Sequence, residues 1–297
     1  MKAILTGARG FLGKYIYDEL INTFETLTLS RTHSDINIDL SCEIPNFADC
    51  DLMVHCAGKA HMVPKTDAER QDFFNVNLTG TENLLKGLEN CNVLPKSFVF
   101  ISTVAVYGCE YGHMIDENHP LEAKEPYGES KIQAEQLVER WCSKNKVIYS
   151  ILRLPLLVGI DPPGNLGAMI RGVKKGYYFN IAGGKAKKSM VFAKDVAKLI
   201  PIVANVGGIY NLTDGYHPSF AELSELISKQ LGRSKPLDLS FSMASIMAKV
   251  GDLLGNKAPI NSNKLKKITS DLTFDDSKAR RGLNWRPNPI LSEFNIK

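Results

Sequence analysis

The chain has 297 residues, of which 44% are hydrophobic and 23% are charged. It is long enough to bury a full hydrophobic core, in one large domain or in two intertwined ones. The formal net charge of +4 is mild and no long basic block appears, so an anionic ligand fits this balance as well as nucleic acid does. We expect no nucleic-acid partner, although the charge does not decide this.

The N-terminus and the cysteines are those of an ordinary globular protein. The first apolar run is interrupted by Gly7, so it is too short for a signal peptide or a membrane span, and we expect a cytoplasmic protein without a membrane partner. Six cysteines are scattered without a C-x-x-C pair or a nearby histidine pattern. We therefore expect reduced thiols and no metal site at Cys42, Cys50, Cys56, Cys91, Cys109 and Cys142.

The stretch Lys2–Leu20 changes from an apolar run to glycine-rich chain and then to an amphipathic pattern. It predicts a strand, a turn and a helix. Gly7, Gly10 and Gly13 have the spacing G-x-x-G-x-x-G between the two elements. Such a turn lets a pyrophosphate approach the backbone at the helix N-terminus, where free N–H groups and the helix dipole attract it. The stretch predicts a dinucleotide site, and the alternative is a purely structural strand–helix turn.

The segment Thr6–Gly13 reads T-G-x-x-G-F-x-G and resembles the glycine motif of the extended short-chain dehydrogenase/reductase family. The resemblance implies an α/β fold with a Rossmann-type doubly wound parallel sheet and a smaller C-terminal α/β substrate domain. The alternation of strand and helix patterns along the chain predicts the same sheet. We expect residues 1–160 to form the NAD(P)-binding domain, to which the chain returns around 188–214, and residues 161–187 and 215–297 to form the nucleotide-sugar-binding part.

The end of the second predicted strand, Thr26–Ser30, distinguishes the two nicotinamide cofactors in a Rossmann fold. An acidic residue there would bind the adenosine 2′-hydroxyl and repel a 2′-phosphate. This chain has Ser30 and Arg31 instead, and Arg9 in the glycine turn could reach the same place. Hydroxyl and guanidinium groups suit a phosphate, so NADP(H) is favoured, with NAD(H) as the alternative. Arg31 would otherwise be a solvated loop charge.

Further cofactor contacts follow from the family resemblance. Asp39-Leu40 resembles the family's pair beside the adenine, although Asp39 fits a turn equally well, and Asn77 begins a segment like the family's Asn-x-x-Gly-Thr. The residues implied to bind the cofactor are Gly7, Arg9, Gly10, Phe11, Leu12, Ser30, Arg31, Asp39, Leu40, Ala57, Gly58, Lys59, Asn77, Tyr127, Lys131 and Pro155. We interpret the neighbouring His55 and His61 as structural or loop residues.

Tyr127 and Lys131 are four residues apart in a predicted helix that begins at Pro126, so their side chains share one helical face. An unperturbed tyrosine has a pKa of about 10 and is a poor acid–base catalyst at neutral pH. Because an adjacent ammonium favours the phenolate, we expect Lys131 to lower the pKa of Tyr127. The alternative is an ordinary exposed helix face.

The segment Ile101–Gly108, which reads ISTVAVYG, resembles the family's S-[ST]-x-x-V-Y-G. By this resemblance Thr103, Tyr127 and Lys131 form a catalytic triad. Thr103 would hydrogen-bond the reacting oxygen and Tyr127 would transfer the proton. Lys131 would hold the nicotinamide ribose and adjust the pKa of the tyrosine.

The substrate is also implied by the resemblance, which extends to the closing segments Asp276–Arg280 and Leu283–Pro287. Family members mostly act on nucleotide-activated sugars. We therefore expect a nucleotide sugar, with UDP as its carrier, bound by Thr103, Asn165, Leu166 and Lys188. Lys188 replaces an arginine that is often used there, and a lysine lacks the bidentate fork of an arginine. A homodimer is compatible with the resemblance.

The residues after the predicted catalytic threonine narrow the reaction. Sugar 4,6-dehydratases of the family have Asp-Glu there, where this chain has Val104-Ala105, so the second acid–base pair of a dehydratase is missing. A 4-epimerase on a retained NAD and a 4-ketoreductase using NADPH remain, and Ser30-Arg31 favours the reductase. The expected substrate is a UDP-hexose or UDP-N-acetyl-hexosamine of surface polysaccharide biosynthesis. A function of another class is a non-catalytic NADP sensor or scaffold, against which the intact triad argues.

Overall fold

The computed structural model describes residues 1–60, 62–254 and 260–296, and His61 lies outside them. The strands are β1 Lys2–Thr6, β2 Glu25–Ser30, β3 Ile36–Asn37, β4 Leu52–His55, β5 Ser97–Thr103, β6 Gly112–Ile115, β7 Ile148–Leu154, β8 Leu156–Val158, β9 Asn180–Ile181, β10 Met190–Phe192, β11 Gly208–Asn211, β12 Asp238–Leu239 and β13 Leu272–Phe274. The α-helices are α1 Phe11–Leu20, α2 Asp67–Phe74, α3 Gly80–Glu89, α4 Pro126–Asn145, α5 Gly164–Lys175, α6 Ala193–Val206, α7 Phe220–Gln230, α8 Phe241–Leu254, α9 Ser262–Thr269, α10 Ser277–Leu283 and α11 Ile290–Glu293. A π-helical segment, Asn75–Thr79, joins α2 to α3, and 3-10 helical segments cover Val104–Tyr107 and Ala182–Gly184.

Seven parallel strands form the main sheet in the order β11-β7-β5-β4-β1-β2-β3. The chain runs outward from β1 through β2 to β3 and then crosses to β4 on the other side of β1. This reversal between β1 and β4 is the switch point at which doubly wound sheets bind ligands, beyond the carboxyl ends of the strands. The predicted doubly wound parallel sheet is confirmed.

Helices cover both faces of this sheet. On one face α1 and α6 pack over a core that includes Ile16, Leu20 and Ile200. On the other face α3 and α4 pack over a core that includes Leu84 and Val138. All five of these side chains are fully excluded from solvent. The sheet is therefore the middle of three layers, which explains why its strands are apolar on both sides.

The C-terminal part is built from short strand pairs and smaller cores. Parallel pairs form between β8 and β10, between β9 and β12, and between β6 and β13. Helices α5, α7 and α11 enclose a core that includes Leu166, Leu223 and Ile290, and α8 and α9 enclose another around Ala244 and Leu265. Within the described part of the chain, no helix is both long and apolar enough to cross a membrane.

Two local patterns mislead. The sequence of Ile36–Leu40 predicts a short strand, but the strand covers only Ile36–Asn37, because the Asp39 carboxylate turns the chain by accepting hydrogen bonds from the backbone N–H and the hydroxyl of Ser41 at 3.0 and 2.7 Å. The polar residues 108–126 predict a loop, but they contain β6, whose partner β13 lies far along the chain. A pairing of such distant segments leaves no local sequence pattern.

Candidate active site

The glycine turn between β1 and α1 is tight. Gly7 has a φ of +71°, and a Cβ there would lie 2.6 Å from the backbone nitrogen of Ala57, so only glycine fits. A Cβ on Gly13 would collide with the carbonyl oxygen of Gly7, which shows how closely α1 approaches the turn. Gly10 is the N-cap of α1, and no side chain caps this helix end. The first turn of α1 therefore offers N–H groups to a ligand at the carboxyl edge of the sheet.

Two adjoining cavities lie along this edge. The first has a volume of about 430 Å³, and its lining includes Ser30, Arg31, Asp39, Leu40 and Ser41. The second has a volume of about 390 Å³, and its lining includes Thr103, Tyr127, Lys131, Pro155 and Pro163. Gly10 and residues 56–59 line both cavities, so they form one continuous cleft across the switch point.

The cleft fits a nicotinamide dinucleotide. A pyrophosphate at the uncapped N-terminus of α1 would leave one cavity for each nucleoside, as in other Rossmann folds. Of the sixteen residues predicted to contact a cofactor, all except Arg9 and Asn77 line the cleft. The guanidinium of Arg9 donates to the Thr32 carbonyl oxygen at 3.2 Å, close to the first cavity.

Asn77 acts behind the cleft rather than inside it. Its Oδ1 accepts from the backbone N–H of Lys59 at 2.7 Å, and its Nδ2 donates to the Lys59 carbonyl at 3.1 Å and to Ser130 Oγ at 3.0 Å. The amide therefore fixes the loop after β4 against helix α4. The family resemblance implies that Asn77 braces the active-site strand, but its side-chain partners lie on this loop and this helix instead.

Thr103 and Tyr127 meet at the end of β5. Thr103 is the last residue of β5, and its Oγ1 accepts a hydrogen bond from the backbone N–H of Ala105 at 3.2 Å. The Thr103 side chain also lowers the pKa of the Tyr127 phenol, which comes from the first turn of α4, and both residues line the second cavity. The two hydroxyl groups that the sequence assigns to proton transfer are thus neighbours at the end of the cleft.

Lys131 lies one turn beyond Tyr127 and is buried, with 4% of its surface exposed. Its Nζ donates to the Ile101 carbonyl at 2.7 Å and lies 3.8 Å from the centre of the Phe100 ring. Burial lowers the pKa of Lys131 to about 8, and the Glu135 carboxylate opposes this effect. The ammonium therefore begins to lose its proton only slightly above neutral pH.

The pKa of Tyr127 is raised, so the predicted lowering of this pKa by Lys131 is wrong for this arrangement. Burial raises the pKa most, the hydrogen bond with Thr103 opposes the rise, and the nearby Cys56 thiol adds to it. Lys131 is not among the groups that shift this pKa, and its ammonium donates to the Ile101 carbonyl. A tyrosine with a raised pKa keeps its proton at neutral pH, which suits a proton donor.

Sequence reasoning missed a buried ion pair behind the triad. Arg153 on β7 donates from Nη2 to Oε2 of Glu135 on α4 at 2.8 Å, and its Nε lies 3.2 Å from the same oxygen. Ser102 donates its hydroxyl to Glu135 Oε1, and Arg153 Nη1 donates to the Tyr107 hydroxyl at 3.1 Å. Glu135 follows Lys131 by four residues on the same helix, and this spacing is the sequence signal that could have found it.

The position of Cys56 was also missed, because the sequence showed it only as one of six scattered cysteines. Cys56 lines both cavities. Burial raises the pKa of its thiol to about 12, so the thiol is unreactive at neutral pH. The described part of the chain contains no group of three or more side chains suited to hold a metal ion.

Of the predicted substrate residues, Thr103 lines the second cavity, and the other three lie outside the lining of both cavities. Asn165 is exposed near Pro163. The Leu166 side chain is buried in the core of α5, α7 and α11, so only its backbone is available to a substrate. The ammonium of Lys188 donates to the Lys267 carbonyl at 3.0 Å. Contacts of Asn165, Leu166 and Lys188 with a substrate stay a prediction.

His55 is a structural residue in this fold. Its Nδ1 lies 2.7 Å from Thr6 Oγ1 and its Nε2 lies 3.0 Å from Thr81 Oγ1, between β1 and α3. Burial lowers the pKa of His55 to about 3, and the charge of Lys131 adds to this effect. The imidazole is neutral and enclosed, which does not suit proton transfer with a substrate.

The doubly wound sheet and a cleft that joins a glycine turn to a Thr–Tyr–Lys cluster define an extended short-chain dehydrogenase/reductase. The chain belongs to the NAD dependent epimerase/dehydratase family, whose family model matches residues 3–212. It is an enzyme of this family, and the membership supports a nicotinamide dinucleotide as its cofactor.

Two similar proteins are named as sugar 4-epimerases. The chain is 27% identical over 294 residues to the N-acetyl-alpha-D-glucosaminyl-diphospho-ditrans,octacis-undecaprenol 4-epimerase of Escherichia coli O157:H7, with 93% of this chain and 88% of the relative covered. It is 26% identical over 318 residues to the UDP-glucose 4-epimerase of Vibrio cholerae, with 98% and 92% covered. The solved structure of MoeE5 in complex with UDP-glucose and NAD shares the fold, with a TM-score of 0.74, 18% identity, and 97% of this chain and 94% of that chain covered.

Proposed function

We propose that the enzyme reduces a 4-keto sugar that carries a diphosphate, with NADPH as the hydride donor. The observation that carries this proposal is the placement of Thr103 beside Tyr127, whose pKa is raised, at the end of the cleft. Reduction of a carbonyl places negative charge on its oxygen, and this oxygen needs a proton donor. A tyrosine whose pKa is raised is such a donor at neutral pH.

Each member of the triad has one task in this mechanism. When bound, the cofactor supplies a hydride to the carbonyl carbon. Tyr127 gives its proton to the carbonyl oxygen, and Thr103 donates a second hydrogen bond, since its Oγ1 already accepts from Ala105. Lys131 binds the nicotinamide ribose, as the family resemblance implies. The charge of Lys131 persists at neutral pH because its pKa is about 8.

The choice of NADPH rests on the end of β2. Ser30 and Arg31 line the first cavity there, and neither is acidic. The Asp39 carboxylate lies in the same cavity. It accepts hydrogen bonds from the backbone N–H and the hydroxyl of Ser41, so this carboxylate is already engaged by its neighbour. A guanidinium and hydroxyl groups favour the additional phosphate of NADPH.

The proposed substrate class is a hexose or N-acetyl-hexosamine linked to UDP, in surface polysaccharide biosynthesis. The two similar epimerases support a sugar diphosphate, because one is named for UDP-glucose and the other for a sugar on undecaprenyl diphosphate. Their names differ in the carrier but share the diphosphate and the reaction at C4. In the proposed division of the chain, residues 161–187 and 215–297 hold this substrate over the cleft.

A 4-epimerase with a retained NAD is the second candidate, and the names of both relatives favour it. The same triad can serve this reaction if Tyr127 first accepts and then returns a proton. The two candidates differ in what is consumed, because a reductase oxidises one NADPH for each sugar and an epimerase needs no added reductant.

One experiment separates them. The purified enzyme is mixed with a UDP-4-keto-hexose and NADPH, and with UDP-glucose or UDP-N-acetylglucosamine alone, and the absorbance of NADPH and the sugar products are followed. Stoichiometric loss of NADPH with the keto sugar supports the reductase. Conversion of a UDP-hexose to its C4 epimer without added cofactor contradicts the reductase and supports the epimerase. If neither mixture shows activity, the proposed reaction at C4 of these UDP-sugars is contradicted.

A further inference from the structure

Helix α8 packs with small side chains inward and large apolar side chains outward. Ala244, Ala248 and Gly251 are buried against the protein. The exposed stripe, which we call the apolar face of α8, consists of Met243, Ile246, Met247, Val250, Leu253 and Leu254. These residues recur at steps of three and four, so they share one side of the helix. A contiguous exposed apolar stripe of this kind marks an interaction surface.

Positive charge is concentrated in the segment of the chain that contains α8. Residues 241–270 contain five lysines and one aspartate, a formal charge of +4 that equals the net charge of the whole chain. Helix α9 packs against α8 through Leu265 and carries three of these lysines, all exposed: Lys264, Lys266 and Lys267. The aspartate, Asp252, accepts hydrogen bonds from Ser262 at the start of α9. The charge surplus of the chain is thus concentrated beside its apolar helix.

We propose that the apolar face of α8 docks on the surface of a bilayer that contains anionic phospholipids. An interfacial helix places large apolar side chains at the boundary between headgroups and acyl chains, while flanking lysines meet the lipid phosphates. A second copy of the chain fits the face less well, because a symmetric contact would bring two segments of formal charge +4 together. The expectation of no membrane partner considered only spanning segments, and a helix that lies on the surface needs no long apolar run.

Helix α9 connects this surface to the cleft. The ammonium of Lys266 lies 4.8 Å from the centre of the Tyr111 ring, and Lys267 pairs with Glu110 at 3.0 Å. Glu110 and Tyr111 lie a few residues after the 3-10 segment that follows Thr103. Docking would therefore hold this loop, which follows the catalytic strand β5, close to the bilayer. The proposal does not depend on which reaction the enzyme catalyses.

Vesicle binding tests the proposal. The full-length protein is sedimented with vesicles of phosphatidylcholine that contain phosphatidylglycerol, and with vesicles of phosphatidylcholine alone. We expect binding to the anionic vesicles that weakens as salt is added. The double variant Ile246→Ser with Val250→Ser should bind these vesicles on the order of tenfold more weakly, because two apolar side chains no longer enter the interface.

The chain offers a matched control on α6. Ile202 and Val206 are also four residues apart on a helix, and they are 50% and 53% exposed, compared with 64% and 51% for Ile246 and Val250. Ile202→Ser with Val206→Ser removes equivalent apolar surface away from α8 and should leave vesicle binding unchanged. Thermal unfolding of both double variants checks that each is folded.

The charged component has its own variants. Lys249 lies on α8 and Lys266 on α9, and both are exposed. Lys249→Gln and Lys266→Gln should each weaken binding to anionic vesicles by about fivefold, with no effect on phosphatidylcholine alone.

Three results would overturn the proposal. The first is a wild-type protein that does not bind anionic vesicles. The second is a variant with Ile246→Ser and Val250→Ser that binds them as tightly as the wild type. The third is a wild-type protein that is a dimer in solution and does not bind vesicles, with a variant that is monomeric. This result would assign the apolar face of α8 to a second copy of the chain.

Discussion

Arg153 and Glu135 form a buried ion pair behind the catalytic triad, with Arg153 Nη2 2.8 Å from Glu135 Oε2 and side chains that are 4% and 3% exposed. The Glu135 carboxylate has a second effect, because it opposes the lowering of the Lys131 pKa by burial. It also accepts a hydrogen bond from the hydroxyl of Ser102, the neighbour of Thr103. Glu135 is thus a positioning residue that acts through Lys131 and through the end of β5.

Glu135→Gln should therefore weaken cofactor binding in a pH-dependent way. The variant keeps the shape of the side chain but removes its negative charge, so the pKa of Lys131 falls further below about 8. The ammonium then loses its proton at a lower pH, and the midpoint of cofactor affinity against pH should move downward. Fluorescence titration of NADPH from about pH 6 to about pH 9 measures this shift.

The control for this change is Glu139→Gln, one turn further along α4. Glu139 accepts from the Tyr149 hydroxyl at 2.8 Å and has no role in the triad. Its midpoint should equal that of the wild type. If both variants and the wild type share one midpoint, Glu135 does not control the charge of Lys131.

The local features of the site could be predicted from the sequence. The glycine spacing predicted a tight turn, and Gly7 and Gly13 lie where the backbone packs too closely for a side chain. Tyr127 and Lys131 share a helix face as expected. These features depend on a few consecutive residues and on helical periodicity. The strand and helix alternation likewise predicts the sheet, because each element carries its own apolar pattern.

The properties that depend on tertiary contacts could not be predicted. The pKa of Tyr127 is set by burial and by Thr103 and Cys56, which come from other strands and loops. The same holds for Arg153 and Glu135, since the sequence does not show which arginine faces which carboxylate. The outward orientation of α8 also appears only when its small face is seen to pack against α9.

Lys131→Met should stabilise the folded protein while it weakens cofactor binding. The pKa of Lys131 falls from 10.5 to about 8 on folding, so between these values the unfolded chain binds more protons and stability rises with pH. Below about pH 8 the wild type therefore carries the full penalty of a buried charge. We expect the variant to gain about 1–3 kcal/mol at neutral pH, less the hydrogen bond lost at Ile101, and nothing above about pH 10.5. Urea unfolding at several pH values measures this, and a gain that is independent of pH would contradict it.

Acid should destabilise the protein through His55. Its pKa falls from 6.5 to about 3 on folding, so the stability that the neutral imidazole provides is present above pH 6.5 and is lost as the pH falls towards about 3. The expected slope is on the order of 1.4 kcal/mol per pH unit in this window. His55→Gln should flatten this slope in urea unfolding. His113→Gln, at a side chain that is 74% exposed, should leave it unchanged, and an equal slope in all three proteins would contradict the assignment.

Ser30→Asp should reverse the proposed cofactor preference. A carboxylate at the end of β2 repels the 2′-phosphate of NADPH and accepts a hydrogen bond from the 2′-hydroxyl of NADH. We expect the dissociation constant of NADPH to rise by about tenfold or more relative to that of NADH. Arg31→Ala should weaken NADPH alone. Fluorescence titration of both cofactors decides the matter, and tighter binding of NADH by the wild type would favour the epimerase instead.

Tyr127→Phe should remove the proton donor while keeping the ring and its packing against Phe73, whose ring centre lies 6.1 Å away. In the reductive direction negative charge grows on the carbonyl oxygen, and without the phenol only the hydroxyl of Thr103 remains to stabilise it. Turnover should fall by roughly two to four orders of magnitude, while binding of NADPH and of the UDP-sugar survives. Single-turnover hydride transfer from NADPH to a UDP-4-keto sugar, followed by absorbance, separates the chemical step from binding. Tyr149→Phe, which removes a hydroxyl bonded to Glu139 outside the cleft, should transfer hydride like the wild type. If Tyr127→Phe does so too, the proton comes from another group.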